Sequence, residues 1–130
     1  MMRLWKRAVL FYVGGLCYTV LELLWRGWSH GAMFLLGGAC FLMIGHLGEV
    51  EEPLSLPVRS VVGGGIVTMM ELGCGLALNR GYQIWDYRDQ PFNFCGQICL
   101  PFALLWVPVS MLAIGLYGLL QRYLFVDFSR

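Results

Sequence analysis

Charge is what this sequence has least of. Of its 130 residues 13% are Asp, Glu, Lys or Arg, while 58% are hydrophobic, a balance that a water-soluble domain does not tolerate. The net charge is +1, so there is no basic surplus to neutralise phosphates and no acidic tail, and no nucleic-acid partner is expected. The five cysteines, Cys17, Cys40, Cys74, Cys95 and Cys99, are an odd number scattered mostly through apolar runs, unlike a secreted disulfide framework. Cys95 and Cys99 could share a helix face, but no second close pair of Cys or His ligands accompanies them, so no metal and no other cofactor is expected. The phosphate-cradling GxxxxGK[ST] loop is also missing. The one dense glycine run, Gly63-Gly64-Gly65, lies in an apolar stretch with no Lys-Ser or Lys-Thr after it, so this chain does not hydrolyse ATP by that route.

Long apolar runs are what the chain does have. A transmembrane helix needs about 20 mainly apolar residues, and four stretches qualify: about 8–25, 31–47, 60–78 and 98–120. The expected fold is therefore all-α, a single transmembrane domain over 1–130 with four spans arranged as two tandem helical hairpins. Arg3, Lys6 and Arg7 before the first run resemble a signal peptide, but no small-residue cleavage site follows, and Glu22 and Arg26 close the run, so it is read as helix one. Only 26–30 is available for the first turn. The second connection, about 49–57, is acidic and carries proline, as an aqueous loop does. The third, 79–97, mixes aromatic, charged and amide residues, too polar to span and too aromatic for a plain loop. Arg3, Lys6, Arg7, Arg59, Arg122 and Arg130 fall on one side, and Arg26, Arg80 and Arg88 on the other. The positive-inside rule places both termini in the cytoplasm of a cell-membrane protein, with 26–30 and 79–97 outside.

Helix one carries Gly15, Thr19, Glu22 and Arg26, and helix three carries Gly64, Thr68, Glu71 and Gly75 at the same spacings, each set along one helical stripe. Arg26-Gly27-Trp28 and Arg80-Gly81-Tyr82 then follow, so the halves read as two copies of a hairpin about an axis along the membrane normal. In lipid, close backbone approach at glycine and hydrogen bonds from Thr or Glu hold helices together. Gly31, Gly38 and Gly45, seven residues apart, are expected to form a groove on helix two. Pro101 and Pro108 are expected to bend or loosen helix four.

Glu22 and Glu71 carry the most information, because an ionised side chain deep in a membrane helix costs about 2.5–3.5 kcal/mol on insertion scales. Arg26 stands one turn after Glu22 in the favourable order for an ion pair, which offers a structural reading. Glu71 has no such neighbour, so it must reach Arg26, Arg80 or His30 across the bundle or keep its proton. His30 stands at the hairpin turn beside Ser29, near Glu22 and Arg26 in sequence. Asn79, Trp85, Asp86, Tyr87, Asn93 and Gln97 form a second polar constellation, in a segment that can dip back into the bundle mouth and wall a binding site. The bland alternatives are interhelical adhesion for the acids and an interfacial aromatic belt for Trp25, Trp28, Trp85 and Tyr87.

Glu22 through His30 (ELLWRGWSH), Gly37-Gly38, Glu71 through Asn79, and the string WDYRDQPFNFCGQICLPF from Trp85 resemble small bacterial membrane proteins of the type IV ABC-transporter family over nearly the whole chain. That resemblance implies a helical permease component. A separate ATPase would then have to couple to it, with Glu49, Glu51 and Glu52 as a short platform. Three functions follow as expectations. The first is transport through a polar site near the extracytoplasmic face, built from Glu22, Arg26, His30, Glu71, Asn79, Trp85, Asp86, Tyr87, Asn93 and Gln97. Four helices scarcely enclose a pathway, so a homo-oligomer in the lipid bilayer is expected. The second is an intramembrane enzyme with Glu71 or Asp86 as base and His30 as acid. The third is a structural or regulatory membrane partner without chemistry.

Overall fold

A computed structural model describes residues 3–50 and 52–124; Glu51 and Arg130, used above, lie outside them. The described residues are mainly helical, with one small hairpin in the connection between the last two helices. They run α1 (Leu4–Arg26), α2 (Gly31–His46), α3 (Leu56–Leu78), β1 (Asn93–Phe94), β2 (Ile98–Cys99) and α4 (Leu100–Leu119), which is followed by a π-helical turn, Leu120–Leu124. α1, α3 and α4 with its turn are long and apolar enough to cross a membrane, and α2 is a shorter apolar helix, as in a polytopic membrane protein. The 16 residues of α2 rise about 24 Å, short of a hydrocarbon core of roughly 30 Å. It is also the inner helix, touching α1, α3 and α4 and buried along its length from Met33 to Gly45.

The helix ends follow local chemistry. α1 stops at Gly27, which adopts φ 78° and sends its N–H back to the Leu23 carbonyl at 3.0 Å, a left-handed cap that glycine adopts without a Cβ penalty. α2 starts at His30, whose Nδ1 accepts the Ala32 N–H at 3.0 Å. α3 and α4 both open with proline in their first turn. Pro101 therefore neither bends nor loosens α4, because a first-turn N–H has no intrahelical partner to lose. Pro108 is the proline inside that helix.

α1 lies against α2, and α3 against α4, as two hairpins. The first is locked by a motif that occurs in both of its helices: Phe11-x-x-Gly14-Gly15-x-x-Tyr18 and Phe34-x-x-Gly37-Gly38-x-x-Phe41. A Cβ on Gly14 would strike Phe41 and one on Gly37 would strike Tyr18; one on Gly15 would meet the Phe34 carbonyl at 2.7 Å and one on Gly38 the Phe11 carbonyl at 2.6 Å. Each glycine pair thus seats the aromatics of its partner, which gives the close backbone approach that lipid-embedded helices need. In the second hairpin Gly63 and Gly64 take Ser110 and Val107. Gly31, Gly38 and Gly45 do not make one groove: nothing lies near Gly31, Gly38 meets α1 through Phe11, and Gly45 meets α4 through Tyr117. A seven-residue step drifts by some 20° per repeat around a straight helix, so their partners differ.

α1 and α4 scarcely approach each other. The gap between them contains the candidate site.

Candidate functional site

The connection from α3 to α4 folds back onto the bundle because Asn79 holds it there. Asn79 Oδ1 accepts the N–H groups of Ile84 (2.8 Å) and Trp85 (3.2 Å), while its Nδ2 donates to the Trp85 carbonyl (2.6 Å) and to Gln97 Oε1 (2.8 Å). Gln97 Nε2 returns a bond to the Asn79 carbonyl at 3.0 Å, and the Trp85 indole donates to the Gln97 carbonyl at 2.8 Å. All three residues are buried. Gln97 fits because position 75 is glycine, where a Cβ would collide with its amide. Further out, β1 pairs antiparallel with β2 in the register Asn93 to Cys99. Gly96, at φ 67°, leaves room for Tyr82, which would stand 2.7 Å from an added Cβ. Tyr82 itself has φ 57° and is held by its hydroxyl bond to the Cys95 carbonyl at 3.0 Å.

This fold-back carries Tyr87 to Glu71. The carboxylate is 1% exposed and accepts the Trp106 indole N–H at 2.7 Å and the Tyr87 hydroxyl at 3.2 Å. Neither Arg26, Arg80 nor His30 reaches it: Arg80 Nε donates to the Leu76 carbonyl at 2.7 Å, and His30 caps α2. Neutral N–H and O–H donors satisfy the acid instead, which spares the desolvation of a second charge. Burial, and then the nearby Glu71 carboxylate, push the Tyr87 phenol above its ordinary range, so it remains a donor.

Glu22 and Arg26 form the expected one-turn ion pair, 2.6 Å between Oε2 and Nε. Arg26 also reaches across the molecule, donating from Nη1 to the Ile84 carbonyl at 2.6 Å, and its guanidinium stacks 4.0 Å above the Trp28 ring. Nε lies off the hydrogen-bonding axis to Glu22, and Nη2 is buried with no hydrogen-bond partner. Beside the pair lies a cleft of about 810 Å³ between α1 and α4, walled by Tyr18, Trp25, Tyr87, Phe102 and Trp106 among others. Tyr87 stacks on Phe102 at 4.9 Å, and Trp25 meets the same ring edge-on at 6.1 Å.

Glu22, Arg26, Trp85, Asp86 and Tyr87 thus line one cleft, with Glu71 immediately behind Tyr87 and Trp106. The remaining candidates stand apart. Asn79 and Gln97 are consumed by their mutual bonds, and Asn93 bonds the Arg88 and Gln90 carbonyls and the Gly96 N–H in its own turn. Asp86 is exposed and paired with Arg88 at 2.8 Å; Arg88, through its hydrogen bonds, holds that carboxyl below the usual range. Tyr18, Phe102 and Trp106 are the site residues that sequence reading missed, since each sits in an apolar run. For Trp106 the available signal was chemical, since an indole N–H in a lipid-embedded helix needs an acceptor, here Glu71; Phe102 and Tyr18 gave no such signal.

No metal-ligating cluster of three or more His, Cys, Asp or Glu occurs among the described residues. The fold defines an integral membrane protein with a cleft, bordered by the Glu22–Arg26 pair, between two of its helices. Residues 15–126 match the model of the family described as "Putative ABC-transporter type IV", and the chain belongs to that family. Neither the curated proteins nor the solved structures contain a match to it.

Proposed function

We propose that this transporter-family membrane protein handles its solute in the α1/α4 cleft, at the extracytoplasmic end of the bundle. One observation carries the reading: the cleft brings the Glu22–Arg26 pair and Tyr87 onto facing walls, with an unpartnered Arg26 donor and a buried acid directly behind. The orientation rests on Arg3 before α1, Lys6 and Arg7 in its first turn, Arg59 in α3's first turn and Arg122 after α4, all at the end away from this cleft. Asn79 and Gln97 position the wall and do not contact solute, since their polar atoms are already engaged with each other or with nearby backbone, while Trp85, its indole N–H engaged by Gln97, lines the cleft with its ring. Energy comes from a separate ATPase at the other face. There Tyr117 of α4 donates to Glu49, tying the α2–α3 connection to the helix that carries Phe102 and Trp106. A homo-oligomer belongs to the same reading, with Gly65 and Gly73 of α3 leaving room for close approach by a second copy.

The test is ATP-dependent accumulation of a solute panel in membrane vesicles of both orientations from cells making the chain. Wild type should support accumulation that Arg26→Gln reduces at least tenfold. Vesicles with the chain that match empty ones across the panel would refute transport. Orientation is read separately with a membrane-impermeant maleimide on intact cells: labelling of exposed Cys95 places the cleft outside, and labelling only after lysis reverses it.

A further inference from the structure

The cleft does not end at Trp106. A second recess of about 470 Å³ continues from it, and Tyr18, Leu21, Trp106 and Val109 line both, so the two form one groove between α1 and α4. Its character changes along its length. The mouth holds Glu22 and Arg26, whereas the far part is walled by side chains such as Leu16, Val20, Ile44 and Leu112. From Arg26 back to Gly14 the groove follows about 18 Å of helix, close to the roughly 15 Å depth of one hydrocarbon leaflet. Polar groups along it lack partners, among them Ser110 Oγ in the deep part. Arg26 Nη2 is at the mouth, and Tyr18, 8% exposed and lining both parts, has an unpaired hydroxyl.

We propose that this groove binds a single-chain zwitterionic amphiphile drawn sideways from the surrounding leaflet. The acyl chain lies along α1 and α4 below Trp106, and the head sits between Arg26 and Glu22. This rests on the reading of the cleft as the solute site and names its substrate class. The head is assigned from charge: the Glu22–Arg26 pair presents a cation and an anion side by side at the mouth, while Asp86, which lines the same mouth, is already paired with Arg88. A phosphate oxygen takes the free Arg26 donor, and an ammonium faces the Glu22 carboxylate, which would repel a purely anionic head. The tail is assigned from length and wall chemistry. Lateral access follows from the sparse approach of α1 to α4, which meet through ring contacts, Trp25 on Phe102 and Tyr18 on Trp106, and not through close backbone packing.

The experiment uses the full chain in nanodiscs with a lysophosphatidylcholine that carries a diazirine at its chain end, and cross-links are mapped by mass spectrometry. Labelling of Cys17 and Leu112 should exceed that of Leu35 and Met69, which lie outside the groove, by at least tenfold. Unlabelled lysophosphatidylethanolamine should compete, and dodecyl sulfate should compete at least tenfold less well. Leu21→Trp, at the waist, should cut deep labelling about tenfold. Leu112→Trp, at a position 75% exposed and so tolerant of bulk, should do the same and guards against misfolding of the first variant. Equal labelling of groove and control positions means ordinary boundary lipid and overturns the proposal, as does groove labelling displaced by chain-to-chain cross-links from a second copy. If Arg26→Gln abolishes vesicle accumulation while labelling is uniform, the amphiphile falls and the transport reading stands. Selective labelling with no accumulation of any solute overturns the transport reading alone.

Discussion

Replacing Asn79 by alanine tests whether one side chain holds the α3–α4 connection against the bundle. The substitution leaves the Ile84 and Trp85 N–H groups without their acceptor, and both residues are buried, at 6% and 5% exposure. Each orphaned buried donor costs about 1–3 kcal/mol, so the fold-back should lose about 2–6 kcal/mol, with the upper end limited by water entering the loosened loop. The helices do not depend on this bond, because the Phe-Gly-Gly-aromatic contacts of α1/α2 and the Gly63–Ser110 and Gly64–Val107 contacts of α3/α4 are elsewhere. The loss is therefore local opening. Even 2 kcal/mol corresponds to about a 30-fold rise in the open population. Hydrogen exchange in detergent micelles should show Ile84, Trp85 and Tyr87 exchanging at least 30-fold faster in Asn79→Ala, with α2 amides unchanged. Tyr87 belongs in that set because its N–H donates to the Gly96 carbonyl at 2.9 Å within the same fold-back. Unchanged exchange at Ile84 and Trp85, or acceleration spread evenly through α2, would refute the clamp.

Glu71→Gln should leave thermal unfolding in micelles nearly as in wild type. The amide oxygen still accepts from Trp106, and the Tyr87 hydroxyl can turn to accept the new N–H; Glu71→Leu, which orphans the Trp106 indole, should lower stability by about 1–3 kcal/mol. Gly37→Val drives a side chain into Tyr18 and should cost about 1–3 kcal/mol or more, read as loss of folded protein on denaturant titration, whereas Gly73→Ala, with open space around it, should be neutral or slightly stabilising. The Asp86–Arg88 contact depends on pH in one direction. Its carboxyl is held below the ordinary value, so the contact is fully present above the usual carboxylate range and is lost as pH falls through the depressed folded value. The Arg88 Nε–H resonance should track that loss, and global unfolding should not, because the pair is exposed.

The membrane spans are legible because hydropathy is additive along the chain, but it marks the stretch in lipid and not the whole helix. α1 and α3 begin at Leu4 and Leu56, ahead of the apolar windows at 8 and 60, because a helix continues past the hydrocarbon. α4 begins at Leu100 because Ile98 and Cys99 pair with Phe94 and Asn93. The site is less legible for a different reason. Asn79 meets Gln97 across 18 positions and Glu71 meets Trp106 across 35, and no local pattern encodes which donor reaches which acceptor. The glycine-aromatic motif stands openly in α1 and α2, yet only their pairing tells which ring meets which glycine.

The difference between the two halves explains why a cleft exists at all. Glu22 and Glu71 occupy equivalent positions on their stripes, yet one lines an open cleft and the other is enclosed. One turn later the stripe carries Arg26 in α1 and Gly75 in α3. Gly75 leaves space for Gln97, so the long connection after α3 docks onto its own hairpin and covers Glu71 with Tyr87. Arg26 fills the corresponding space with a cation, and residues 27–30 are too few to fold back, so Glu22 is met by its own helix and stays at the edge of the gap. Arginine in one hairpin where the other carries glycine, combined with unequal connection lengths, thus leaves one acid covered and the other open. The first hairpin supplies the charged wall that the α3–α4 connection completes through Trp85 and Tyr87.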